Sequence, residues 1–71
     1  MTEQVCADMV ANVLSIAVAE GDVVEPGQTL VLLESMKMEI PVVPEAGGRV
    51  ARVAVHAGDV VQEGDLLVVL E

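Results

Sequence analysis

The sequence predicts an all-β fold, a sandwich or flattened barrel of about eight short strands. Its 71 residues are 54% hydrophobic but include no aromatic side chain, so Val, Leu, Ala, Ile and Met must fill the interior. These β-branched and aliphatic side chains suit a pleated sheet that is buried on one face. Turn signals recur between short apolar runs, and no stretch shows the 3.6-residue periodicity of an amphipathic helix.

The chain also contains an internal repeat. When the sequence is shifted by 37 positions, residues 13–34 align with residues 50–71, and twelve of the 22 aligned positions are identical. Solenoid repeats of such a period need roughly three or more copies to bury a continuous core. Two copies therefore predict a closed structure with pseudo-twofold symmetry, in which each half supplies one side of a common core.

Each copy predicts three short strands preceded by an edge strand. Pro41 and Pro44 lie in or near the edge strand of the second copy, and proline is tolerated in a sheet only at an edge or near a strand end. The predicted strands are residues 3–7, 13–18, 23–24 and 30–33 in the first copy and residues 38–43, 50–55, 60–61 and 66–70 in the second.

Turn residues separate these strands. Pro26 and Gly27 occupy the two central positions that a type II turn prefers. We interpret Asp22 and its counterpart Asp59 as turn residues whose side chains bond nearby backbone N–H groups, rather than as metal ligands. The pair Gly47-Gly48 is interpreted as a turn, because it lacks the surrounding pattern of a phosphate-binding loop.

The acidic charge argues against several classes of partner. Twelve carboxylates against Lys37, Arg49 and Arg52 give a formal net charge of -9, whereas nucleic acids and anionic membranes are bound by clustered Lys and Arg. No segment approaches the roughly 18 consecutive apolar residues of a membrane span, and the first residues lack the features of a signal peptide. We therefore expect a cytoplasmic protein without a nucleic acid or membrane partner.

Cys6 and His56 are each the only residue of their type. A single cysteine cannot form an internal disulfide and fits a reducing compartment, so Cys6 is predicted to be a small buried or half-buried strand residue. His56 precedes a Gly-Asp turn and is predicted to be an exposed loop residue. With no Ser/His/Asp or Cys/His set, the chain is not predicted to be an enzyme.

Lys37 is the only lysine, and it lies at the junction of the two copies. A tight reversal there would expose its amine. Two-residue hairpin turns prefer Asn-Gly, Asp-Gly or Gly-X because they require positive φ angles, yet this junction offers Met36-Lys37. A local rule broken inside a regular fold indicates a functional site.

The stretch Glu-Ser-Met-Lys-Met-Glu, residues 34–39, resembles the attachment sequence of the biotinyl domain family, the biotin carboxyl carrier proteins. The two halves, each with Gly-Asp-Val-Val, are similar to that family across essentially the whole chain. The chain looks most like the small free-standing carriers, so residues 1–71 are expected to be a single biotinyl domain. The resemblance implies a flattened β-barrel or sandwich of two four-stranded antiparallel sheets, with Lys37 on an exposed hairpin turn.

The resemblance also implies a function. A biotin protein ligase would join biotin covalently to Lys37, and Glu34, Met36 and Met38 would help the ligase and later partners to recognise this lysine. The biotin would carry a carboxyl group from a biotin carboxylase to a carboxyltransferase. The chain itself would be a non-catalytic carrier.

Two alternatives and one departure accompany this interpretation. The alternatives are a lipoyl-type swinging-arm carrier, although that family usually has Asp-Lys-Ala at the tip, and a cofactor-free β interaction module in which Lys37 protects an edge. The departure is Asp8-Met9-Val10-Ala11, where the family often has Pro-Met-Pro-Gly. If that glycine has a left-handed backbone, Ala11 would cost about 1 kcal/mol.

Overall fold

The computed structural model describes residues 2–71, which form eight strands and no helix. Met1, the first residue of the expected single domain, lies outside the described residues. The all-β prediction is confirmed. The strands are β1 Glu3–Cys6, β2 Ala11–Ile16, β3 Val23–Val24, β4 Val31–Ser35, β5 Met38–Val42, β6 Gly48–Val53, β7 Val60–Val61 and β8 Leu66–Leu70.

The strands form two antiparallel four-stranded sheets. Sheet 1 has the order β1-β8-β6-β3, and sheet 2 has the order β5-β4-β2-β7. Each sheet ends on an unpaired edge strand at either side, so within residues 2–71 the molecule is a sandwich rather than a closed barrel. The 37-residue shift converts β1 to β4 into β5 to β8 and exchanges the two sheets, which confirms the predicted pseudo-twofold symmetry.

The two copies are more interwoven than the repeat alone predicts. Each copy contributes two strands to each sheet, because β3 of the first copy pairs with β6 and β7 of the second copy pairs with β2. The expectation that each half forms one side of the core is therefore wrong in this detail. These pairs join strands that are far apart in sequence, and they also explain why β2 and β6 begin two residues earlier than predicted.

The identities of the repeat are explained largely by the core and the turns. Every side chain of the hydrophobic core that is exposed by less than 2% is Leu or Val, as expected from a composition without aromatic residues. Six of the twelve identities of the repeat fill equivalent core positions. These core pairs are Val13/Val50, Val18/Val55, Val24/Val61, Leu30/Leu67, Val31/Val68 and Leu33/Leu70.

Four turns share one design. In each, the third residue is a glycine with a φ angle between 83° and 96°, and the fourth residue returns its backbone N–H to the carbonyl oxygen of the first. The side chain of the fourth residue also accepts the backbone N–H of the first, as Asp22 does from Ala19 and Asp59 does from His56. The predicted type II turn and the turn role of both aspartates are confirmed. Gln28 and Asp65 play the same part in the other two turns.

Two predictions about small residues are wrong. Cys6 is exposed rather than buried or half-buried, because Val5 faces the core and successive strand residues point to opposite faces. Gly48 opens β6 instead of lying in a turn. A Cβ atom on Gly48 would lie 2.8 Å from the carbonyl oxygen of Glu71, so this glycine permits a close approach between strands.

Ala11 introduces no backbone strain. It is buried in β2, and its φ angle is not positive. Among the described residues other than glycine, those with a positive φ are Met36 and Lys37. The departure from Pro-Met-Pro-Gly therefore does not force a left-handed alanine. Pro41 lies in the edge strand β5, and Pro44 lies beyond the end of that strand. Both positions agree with the prediction that these prolines lie at a sheet edge or near a strand end.

Candidate functional site

Lys37 lies in the turn of the β4–β5 hairpin. The hairpin register pairs Ser35 with Met38, so Met36 and Lys37 alone form the loop. Their φ angles are 54° and 65°, as in the type I′ turn that joins two antiparallel strands with their natural twist. The tight reversal expected at the junction of the two copies is therefore present.

This turn carries conformational strain. Within residues 2–71, Met36 and Lys37 are the non-glycine residues with a positive φ. A left-handed backbone costs an L-residue with a side chain about 1–2 kcal/mol. Strain of this kind persists only where the surrounding structure imposes it, and it is concentrated at functional sites.

The hairpin tip presents its side chains to solvent. Met36 is 90% exposed and Met38 is 61% exposed, and Lys37 between them is exposed as well. Met36 is the most exposed large hydrophobic side chain of the described residues, whereas Met38 is no more exposed than Val10, Val23 and Val60, so Met36 is the side chain that distinguishes this surface. No carboxylate of the described chain lies within ion-pair distance of the Lys37 amine. The amine is therefore accessible to another molecule.

Glu34 lies below the tip on β4 and is half-buried. It is directly opposite Glu39 on β5 and Asn12 on β2, so these three residues form a row across sheet 2. Like charges directly opposite each other destabilise a strand pair. The structure thus brings together the predicted Lys37, Met36 and Met38 and sets Glu34 at the base of their hairpin.

Asn12 was not identified from the sequence as part of this region. It reaches the row through the β2–β4 pairing, which places it opposite Glu34, 22 positions away along the chain. No local motif marks such a residue, since the register of a sheet depends on the pattern of the whole strand.

The remaining chemically active side chains do not converge. The His56 side chain is 90% exposed, with its Nδ1 atom 3.9 Å from Asp59 Oδ2, which agrees with the predicted exposed loop histidine. In the described part of the chain, no group of three or more His, Cys, Asp or Glu residues is arranged to hold a metal ion. None of the described residues forms a helix with the length and hydropathy that a membrane span requires.

Comparison with known proteins identifies the family. The model of the biotin/lipoyl family, described as "Biotin-requiring enzyme", matches residues 3–70. The chain belongs to this family. A relative is the biotinylated protein TB7.3 homolog of Mycobacterium leprae (strain TN), which is 54% identical over 52 residues, 73% of this chain and 73% of that protein.

Two solved structures contain a similar fold. A single-chain, multi-domain long-chain acyl-CoA carboxylase superposes with a TM-score of 0.89 and 34% identity over 96% of this chain, and the urea carboxylase of Kluyveromyces lactis with a TM-score of 0.93 and 30% identity over 100% of it. This chain spans only 7% and 6%, respectively, of those two proteins. The similarity concerns one small part of each carboxylase.

The hairpin fits the covalent cofactor of the family. Biotin carries a carboxyl group and forms an amide with a primary amine, which must be exposed for a second protein to reach it. An exposed lysine, free of ion pairs to the described residues, meets that requirement. The comparisons therefore agree with a biotin-requiring carrier, and the geometry offers one side chain for the attachment.

Proposed function

We propose that Lys37 is the residue to which a biotin protein ligase attaches biotin, and that the chain acts as a biotin carboxyl carrier. The observation that carries this proposal is the strained two-residue turn. It holds the only lysine of the sequence at an exposed tip between two exposed methionines. Glu34, Met36 and Met38 are the proposed recognition residues for the ligase and for later partners.

The attachment forms one bond and removes one charge. The Lys37 Nζ atom, once deprotonated, attacks the biotin carboxyl group that the ligase has activated with a nucleoside triphosphate, and the activating group leaves. The amide product is neutral, so the formal charge of the chain changes from -9 by one unit to -10. A neutral tip enters a partner's active site without the cost of desolvating an ammonium group.

The chain contributes position, and the cofactor contributes chemistry. Attached to Lys37, biotin would supply a ureido nitrogen that can hold a carboxyl group for transfer to an acceptor. The rigid sandwich presents the lysine arm, whose local concentration at a partner's site rises once the protein docks. The proposed partners are therefore a biotin carboxylase and a carboxyltransferase, and the similarity to parts of two carboxylases supports this class of partner.

The test is incubation of the purified protein with biotin, a nucleoside triphosphate and a biotin protein ligase, followed by intact-mass measurement. We expect a gain of one biotinyl group, with the modified peptide containing Lys37. Lys37→Arg is the matched control because it keeps the charge but offers no acylable amine, and it should gain nothing.

Two results would contradict the proposal. If an active ligase leaves the protein unmodified while a lipoate ligase adds one lipoyl group, the chain is a lipoyl-type carrier. If neither ligase modifies it, the cofactor-free interaction module is correct. A cytoplasmic location remains a prediction, which fractionation of the host cell would check.

A further inference from the structure

A groove runs between the two edge strands β1 and β5. These strands belong to different sheets and are related by the 37-residue shift, so the sandwich is open along this side. The groove has a volume of about 520 Å³, and we name it the β1–β5 groove. That volume lies in the range typical of ligand pockets.

The floor of the β1–β5 groove is apolar. Met9, Ile40 and Val42 line it, and all three are half-buried side chains packed against the hydrophobic core. Their uncovered surface therefore adjoins the hydrophobic core. A side chain inserted here would remove apolar surface from water on both partners.

The rim of the groove is acidic. Its charged lining residues are Glu3, Asp8 and Glu45, and none of the lining residues is Lys, Arg or His. The Glu3 carboxylate already accepts the backbone N–H groups of Glu45 and Ala46, at 3.1 Å and 3.4 Å. Within residues 2–71, neither Asp8 nor Glu45 forms an ion pair with a Lys, Arg or His side chain, so a cationic partner complements this rim.

The two edge strands differ in the hydrogen bonds that they offer. Val42 directs its carbonyl oxygen to the side of β4, where it accepts the N–H of Leu30, the residue before that strand, at 2.8 Å. Alternation along an antiparallel strand then directs the nitrogen of Pro41 to the open side, where proline has no hydrogen to donate. The residue equivalent to Pro41 in the first copy is Gln4, which retains its N–H. β1 is therefore the better template for an added strand.

We propose that the β1–β5 groove binds an extended, positively charged segment of a partner protein, which adds to β1 as a further strand of sheet 1. Its backbone pairs with Gln4, and an apolar side chain covers Met9, Ile40 and Val42. Its basic side chains lie against Asp8 and Glu45. Strand addition of this type draws affinity from main-chain hydrogen bonds and specificity from side-chain pockets.

The charge of the chain disfavours a second copy as the occupant. Two molecules that each carry a formal charge of -9 repel each other, and the same acidic rim would face itself across a twofold contact. The proposal concerns the side of the sandwich and not the amine of Lys37. It stands or falls independently of biotin attachment.

The test is a titration of the ¹⁵N-labelled protein with a blocked synthetic peptide of alternating lysine and valine, followed by NMR. Backbone shifts should concentrate at Gln4, Cys6, Met9, Ile40 and Val42. A peptide with glutamate in place of lysine should not bind. Asp8→Asn combined with Glu45→Gln should weaken binding of the lysine peptide and reduce its sensitivity to salt.

The repeat supplies a matched pair of variants for the backbone contact. Gln4→Pro gives β1 the residue that β5 already holds at the equivalent position, so we expect the fold to accept it. It should weaken peptide binding about tenfold, as expected for loss of one hydrogen bond. Gln4→Ala keeps the N–H and should change binding by about twofold or less.

If Gln4→Pro does not fold, a peptide that is N-methylated along one edge replaces it in the test. This peptide lacks backbone N–H donors for pairing with β1, so it should bind the unaltered protein more weakly than the parent peptide. Equal binding of the two peptides, equal binding by Gln4→Pro, or shifts spread over the whole acidic surface would overturn the proposal. Dimerisation of the free protein through β1 would also overturn it.

Discussion

The glycine turns and the hairpin tip reverse the chain in different ways. Four turns place glycine at their left-handed position, where a Cβ atom would meet nothing within 4 Å, so only the backbone conformation requires that residue. The tip uses a left-handed backbone at Met36 and Lys37, which both have side chains. The glycine turns use the residue that a left-handed backbone favours, whereas the tip departs from that rule at the lysine proposed to carry biotin.

The same contrast appears in the contacts of the two kinds of turn. Each glycine turn is reinforced by a side chain that accepts a backbone N–H, as in the pair of Asp59 and His56 at 2.8 Å. At the tip, Met36 and Met38 extend into solvent. Residues kept exposed and strained contribute little to the stability of the fold, so we infer that recognition by other proteins accounts for them.

The largest expected effect follows from making the tip resemble the other turns. Lys37→Gly removes the strain of a non-glycine residue at a positive φ, but it also removes the amine that would accept biotin. Biotin incorporation should be abolished, while the free energy of unfolding stays equal or increases. Intact mass after ligase treatment and urea denaturation measure the two effects. A Lys37→Gly protein that still gains a biotinyl group would contradict the assigned site.

The reverse change makes a glycine turn resemble the tip. Gly58→Val places a β-branched residue at a φ of 96° and should lower the free energy of unfolding by about 2 kcal/mol. Urea denaturation should show a lower midpoint with an unchanged slope. Gly21→Val, at the equivalent position of the first copy, is the control and should have a similar effect. Unchanged stability in both would mean that these turns tolerate side chains.

Removing the side-chain hydrogen bonds of the glycine turns should lower the free energy of unfolding by a smaller amount. Asp59→Ala removes the bond to the His56 N–H and should destabilise the protein by about 1 kcal/mol. Asp22→Ala breaks the equivalent bond in the first copy, and a comparable loss in thermal or urea unfolding is expected. A clear difference between these two variants would show that the pseudo-symmetry does not extend to energetics.

The smallest effect is expected at Met36. Met36→Gly removes the strain of a side chain at a positive φ, but glycine adds conformational entropy to the unfolded chain. The free energy of unfolding is therefore expected to rise by about 0.5 kcal/mol. Biotinylation by the ligase should become slower, because one exposed thioether is lost. Val23→Ala, a change at an exposed apolar residue on β3 of the other sheet, should leave the rate unchanged. An undiminished rate in Met36→Gly would remove Met36 from the recognition surface.

Local sequence was a good guide wherever the rules for turns apply, both where the chain obeys them and where it breaks them. Pro26-Gly27 predicted a type II turn, and Met36-Lys37 was identified because it breaks the turn rule at the junction of two copies. Cys6 was misjudged because its direction depends on the phase of β1 in the sheet. The glycine pair at 47–48 was misjudged because its close neighbours are Val24 and Glu71, which are distant in sequence.

The sequence by itself determined the all-β class, the twofold repeat and the position of Lys37, because each depends on residue types, spacing and turn chemistry along the chain. Only the tertiary structure decided how the copies interweave, which residues join Glu34 in a row, and where the β1–β5 groove opens. These features depend on pairings such as β2 with β7 and β3 with β6. The register of such distant pairs is selected by burial of the whole core, and no single stretch of sequence encodes it.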